Sequence, residues 1–148
     1  MIDLEKLEVA HSGKGDCAVS CIAGKKIVIK KKVVEKLNLK DEEIGKGTGV
    51  TSKIAFDVKE KKMYIIRQDG ELGAAFCGVL SKVEIYNAKA CQMIMDIIGK
   101  KLSGSGTVGF IKIDFDELAN GEPCVVVDLT SYIVNPGVLV EEKSEVAE

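Results

Sequence analysis

Arginine is almost missing from this chain: of 21 basic residues all but Arg67 are lysine. The planar guanidinium fork reads guanine edges and phosphates in two-point contacts, so base-specific recognition of DNA is poorly served. Contact with a phosphate backbone through lysine point charges stays open. Tryptophan is absent, and four phenylalanines and three tyrosines are too few for the aromatic platforms on which single-stranded bases stack. With one histidine, His11, and only one close cysteine pair, Cys17 and Cys21, a zinc site lacks ligands at the required spacing. No apolar run approaches the length of a membrane span. The opening "MIDLEKLEVA" is interrupted by acids, so a leader peptide is not expected. The five cysteines are odd in number and are expected to be small buried hydrophobes in a reducing cytoplasm.

What the chain has is a balanced globular composition, 46% apolar and 30% charged with a net charge of −2, over 148 residues. That length suits one domain, or two small units sharing a core, expected over residues 1–137 and followed by an acidic tail at 138–148. Laying "CAVSCIAGKKIVI" from Cys17 over "GAAFCGVLSKVEI" from Gly73 brings Cys21 onto Cys77, Lys26 onto Lys82 and Ile29 onto Ile85, an offset of 56. In both halves two β-rich segments precede a helical one. These are "CAVSCI", "KKIVIK" and "KVVEKLNL" in the first half, and "GAAFCGVL", "KVEIY" and "NAKACQMIMDIIGK" in the second. A Gly-rich loop and a hairpin follow each time: "SKIAFDV" with "MYIIR", then "FIKIDFDE" with "PCVVVDL" around Asn120-Gly121.

Two strand–strand–helix–strand–strand units are therefore expected, at 17–67 and 73–129, related by a pseudo-two-fold axis. Neither alone would bury enough apolar surface to offset its chain entropy. Together they should form a compact barrel-like or two-layer α+β domain, mainly β. Its core should contain Ile27, Ile29, Leu37, Ile54, Phe56, Ile65, Val83, Ile85, Ile97, Ile113 and Phe115.

Over "KKIVIKKKVVEKLNLKDEE" and "SKIAFDVKEKKMYIIR" the chain resembles the AbrB/MazE family of swapped-hairpin DNA-binding domains. Ile27, Val28 and Ile29 are similar to that family's central strand, Val33–Leu39 to its short helix, and Ile54–Ile66 to its closing hairpin. The resemblance is clearest over residues 17–67, with a looser echo over 73–129. It implies interleaved hairpins closing one barrel, here within a single chain, and nucleic acid as the partner. Lys30 stands where the family has proline, and Val34 and Glu35 stand where it uses arginine. The twice-repeated order of helix and hairpins is also similar to one domain of a sliding clamp, which would make the chain a subunit of an oligomer.

Lysines form the first candidate site. Lys26 and Lys30 share a strand face, and Lys32 and Lys36 a helix face; with Lys25 and Lys31 they make a positive strip suited to nucleic acid or another polyanion. The plain reading of such lysines is a solvated surface that protects a strand edge. The second candidate is a pair of Gly-rich loops at matching places, Gly45, Lys46, Gly47 and Thr48 in one half and Ser103, Gly104, Ser105, Gly106 and Thr107 in the other. Backbone N–H groups there would cradle a phosphate-bearing, nucleotide-like ligand. Neither matches the P-loop pattern, and flexible connection is their plain reading. The remaining Gly-rich stretch, Ser12–Asp16, follows His11. "DFDE" at Asp114–Glu117 places two acids on the outer face of a strand, which reads as ordinary surface.

No nucleophile–base pair and no metal constellation can be assembled, so neither catalysis nor a cofactor is expected. The expected role is that of a non-enzymatic binding or regulatory protein acting on nucleic acid, a protein partner or a second copy of itself. The alternative is a small-ligand binder, such as a phage or bacterial accessory protein.

Overall fold

Alternating and clustered β-formers build a fold that is mostly β, seen in a computed structural model that describes residues 17–22, 24–99 and 106–134. Ten strands join in one curled, half-barrel sheet. In chain order they are β1 (Val19–Ile22), β2 (Lys26–Lys30), β3 (Val50–Asp57), β4 (Lys62–Asp69), β5 (Ala74–Val79), β6 (Lys82–Tyr86), β7 (Thr107–Phe110), β8 (Ile113–Glu117), β9 (Pro123–Asp128) and β10 (Tyr132–Val134). Their order across the sheet is β10-β7-β1-β2-β6-β5-β3-β4-β9-β8.

Inside this order β2 lies against β6, the fourth and fifth strands. Both strands have five residues and they pair antiparallel, Lys26 opposite Tyr86, Val28 opposite Glu84 and Lys30 opposite Lys82. Hairpin partners then spread outward. β3 keeps β4 as its hairpin partner and on its other side pairs with β5 through Thr51–Ala75 and Ser52–Ala74, while β7 pairs with β1 through four residues. β5 is the hinge of the curl: its first two residues pair with β3 and its last four with β6. At that junction Gly73 is obligatory, since an added Cβ would sit 1.9 Å from the Ser52 carbonyl oxygen. Thr51 and Ser52, both buried, tie the crossing together. The Thr51 hydroxyl donates to the Gly70 carbonyl at 3.0 Å and accepts from the Gly73 N–H at 3.3 Å, and the Ser52 hydroxyl donates to the Ala74 carbonyl at 2.8 Å.

Two helices plug the concave side. Helix α1 (Lys31–Lys36) follows β2 without a break. Its N-cap, Lys30, makes no side-chain cap, and its first turn carries lysines where the helix dipole favours acids, so local sequence does little to hold it. Burial of Val33, Val34 and Leu37 holds it instead, and Asn38 ends it at a left-handed φ of 58°. Helix α2 (Ala88–Ile98) starts from the Asn87 side chain, which accepts the Ala90 N–H at 3.0 Å, and stops at left-handed Gly99. Its buried face is Ala90, Cys91, Ile94 and Met95. One apolar cluster runs through both helices and both ends of the sheet.

Three expectations are corrected. "FIKIDFDE" is not one strand: it breaks at Ile111 and Lys112, both exposed, whose N–H groups donate to the Ser131 side-chain oxygen at 3.2 and 3.0 Å. Those bonds turn the chain out of the sheet, so β7 lies beside β1 while the β8–β9 hairpin extends the far edge beyond β4. The overlay of Cys21 on Cys77 slips by one residue, because Cys77 faces Glu84 where Ser20 faces Val28. The β1–β2 connection is one residue longer than the β5–β6 turn, which absorbs the slip. Finally, Ile54, Phe56, Ile97, Ile113 and Phe115 are half-buried at the rim, while Ile27, Ile29, Leu37, Ile65, Val83 and Ile85 are fully buried. Only the first part of β3 has a neighbour on its β5 side, which leaves Ile54 and Phe56 less covered.

This division sets the energetics. Ile85→Ala removes a side chain enclosed on all sides and should cost about 2–5 kcal/mol, whereas Ile54→Ala at the rim should cost clearly less. Urea denaturation of both variants measures the difference; equal losses would place the rim and the core wrongly.

Candidate functional site

Pairing β2 with β6 sorts their side chains onto two faces, because directly opposed residues in an antiparallel ladder point the same way. Ile27, Ile29, Val83 and Ile85 go inward and are 0% exposed. Lys26, Val28 and Lys30 share the outer face with Tyr86, Glu84 and Lys82. The candidate lysines therefore do not make a continuous strip. Lys26 and Lys30 lie at opposite ends of β2, separated by roughly 13 Å of extended chain.

The Lys26 end is neutralised. Its Nζ lies 2.9 Å from Glu84 Oε2 and 5.4 Å from the centre of the Tyr86 ring, and the Tyr86 hydroxyl donates to Glu84 Oε1 at 2.9 Å. The Lys26 ammonium and the Tyr86 hydroxyl hold the Glu84 carboxyl below the usual carboxylate range, and Glu84 in turn raises the Lys26 ammonium. Lys25 is exposed in the turn beside this end.

The other end carries unbalanced charge. Lys30 and Lys82 face each other across the ladder, and Lys31 and Lys32 follow at once on exposed positions of α1. Among the described residues none of these four has an acid within ion-pair distance. Lys36, one turn on, lies 5.4 Å over the Phe115 ring. Lys82 is not among the residues that the sequence singles out. Only the pairing of segments 56 residues apart brings it to this end, and no local pattern announces it.

The first Gly-rich loop is folded on itself. Gly45, Gly47 and Gly49 take left-handed φ values of 117°, 77° and 84°. The Gly45 N–H donates to the Phe76 carbonyl, and the Thr48 hydroxyl donates to the Glu43 carbonyl at 3.2 Å while its oxygen accepts the Val50 N–H at 3.2 Å. These groups fix the entry into β3; Lys46 and Gly47 are exposed at its tip. Of the second loop, Ser103, Gly104 and Ser105 lie outside the described residues, and Gly106 and Thr107 lead into β7, where Thr107 pairs with Ile22. His11 and Ser12–Asp16 also lie outside them.

The remaining polar features are structural. The lone arginine, Arg67 on β4, pairs through Nη2 with Glu43 and lies 3.6 Å from Asp69. Glu43 also accepts the Lys40 N–H at 3.0 Å, so it clamps the short 3-10 turn Asp41–Glu43 to the sheet. The Arg67 guanidinium, foremost, and the Lys40 N–H pull the Glu43 carboxyl below its usual range. Cys21 on β1 and Cys91 on α2 are fully buried, and the interaction with Cys91, together with burial, pushes the Cys21 thiol up, away from reactivity. Asp114 and Asp116 are exposed on β8, and no group of three or more potential metal ligands occurs among the described residues. No helix among those residues is long and apolar enough to cross a membrane.

A depressed carboxyl contributes stability above its ordinary value of 4.5, and that contribution is lost as the pH falls from there through the lower folded value. Glu43→Gln should therefore lower the melting temperature at neutral pH and make it less sensitive to acidification below pH 4.5. Calorimetry of both proteins across this range measures it, and an unchanged acid profile would mean that the clamp carries no net energy.

No family model matches the chain, and no curated protein and no solved structure matches it either, so its function has to be read from the geometry above.

Proposed function

We propose that this chain is a non-enzymatic cytoplasmic protein that binds nucleic acid through its phosphate backbone, on an AbrB-like swapped-hairpin scaffold duplicated within one polypeptide. The exchange of partners supports the scaffold: β3 from the first half pairs with β5 of the second, and β7 from the second pairs with β1 of the first. The ladder between β2 and β6 is centred on Val28 and Glu84, two residues that the 56-residue offset relates. In this reading the counterpart of β3 and β4 is β7 and β10, and the β8–β9 hairpin is an addition at the edge. All five cysteines are thiols, as suits a reducing compartment.

The observation that carries the functional reading is the group Lys30, Lys31, Lys32 and Lys82, which gathers at one end of the β2–β6 ladder with no ion-paired acid among the described residues. Like charges directly opposed on a ladder repel, so a polyanion that neutralises them gains both attraction and relief. Lysine supplies charge without arginine's fork, so contacts go to phosphates and sequence preference is weak.

Binding to a mixed-sequence DNA duplex should therefore fall steeply with salt as condensed counterions are released. Replacing Lys30, Lys31 and Lys32 with glutamine should weaken it for every sequence and flatten the salt slope by about one unit for each phosphate no longer neutralised. The melting temperature should barely move. Titration at several salt concentrations tests this; no binding by the wild type at low salt would reduce the lysines to a solvated face.

A further inference from the structure

We infer that the polyanion site is one-ended and composite: Lys82 of the second half completes it with Lys30, Lys31 and Lys32 of the first, and Glu84 closes the corresponding opposite end. The inference rests on the nucleic-acid reading and adds to it the inequality of the two ends, one open and one closed by Glu84.

The register makes the two ends comparable. Reversing the ladder about its centre exchanges the pair Lys30–Lys82 with the pair Lys26–Tyr86. Were the two ends alike, each would offer the same charge to a ligand. They differ at one position, Lys30 at one end corresponding to Tyr86 at the other, and this difference bears on what Glu84 does. Glu84 sits on the central rung, two residues along the ladder from either end. It takes Lys26 at 2.9 Å and is held there by the Tyr86 hydroxyl, also at 2.9 Å. Lys82 acts on the Glu84 carboxyl too, more weakly than Lys26, and makes no ion pair with it. The carboxylate is thus drawn away from Lys82, and Lys30 and Lys82 are left facing each other.

The other charges near the open end do not cancel it. Glu35 lies one helical turn from Lys31 and is exposed, with no ion pair to it, and Lys36 adds a further positive charge on the same helix. Val28, only 4% exposed, separates the two ends along the outer face of β2. Lys31 and Lys32 follow Lys30 directly in the chain, so four of the described lysines gather at this end, whereas beside the closed pair at the opposite end the exposed lysine in the adjoining turn is Lys25.

The test uses the full chain and a short labelled mixed-sequence DNA duplex, with anisotropy read at several salt concentrations. Lys82→Gln should weaken binding several-fold and lower the salt slope by about one. Lys25→Gln should leave both unchanged. Glu84→Gln frees Lys26 and removes the nearby negative charge, so binding should tighten and the slope should steepen. Melting temperatures establish that each variant is folded. If Lys82→Gln binds as the wild type does, or Lys25→Gln loses as much as Lys82→Gln, the one-ended site is wrong while nucleic-acid binding stands. If the wild type itself does not bind, both readings fall together.

Discussion

The antiparallel pairing of β2 with β6 is the contact on which the rest of the molecule depends. It joins two chain segments 56 residues apart, buries Ile27, Ile29, Val83 and Ile85 on one side, and decides which charged residues meet on the other. Shifting the register by one residue would turn those four apolar side chains to solvent and put the lysines into the core, so burial itself enforces the alignment. The electrostatic pattern of the outer face follows from a constraint set by the inner one.

From that centre the two halves complete each other. A two-stranded unit is marginal in water, and each half here has edges that its own hairpin does not cover. Passing β3 to β5 and β7 to β1 satisfies those edges, and the two helices close the concave side over one shared core. The Thr51, Ser52 and Gly73 crossing fixes where the sheet bends, and the Glu43–Arg67 pair fixes the loop that leads into β3. Among the described residues, Lys30 and Lys82 are left facing each other across the β2–β6 ladder with no acid in ion-pair distance.

Much of this is legible in the sequence where a local pattern exists. The apolar spacing of Val33, Val34 and Leu37, the Asn87 start and Gly99 stop of α2, and the alternation in β4 and β6 each announce their own element. The break at Ile111 and Lys112 is not legible, because it is made by Ser131, twenty residues on from Ile111. The half-burial of Ile54 and Phe56 depends on which strand ends beside them, a fact of pairing rather than of period. The candidate site shows the same limit: the lysines of β2 and α1 are visible as a run, but the neutralisation of Lys26 and the arrival of Lys82 come from residues on β6.

Both the centre of the fold and the lysine site require the β2–β6 register, which solution NMR measures directly. Cross-strand nuclear Overhauser effects should join the backbone of Lys30 to Lys82, Val28 to Glu84 and Lys26 to Tyr86. A set displaced by one or more residues, or effects joining β2 to a strand other than β1 and β6, would contradict both the fold's centre and the placement of the lysine site.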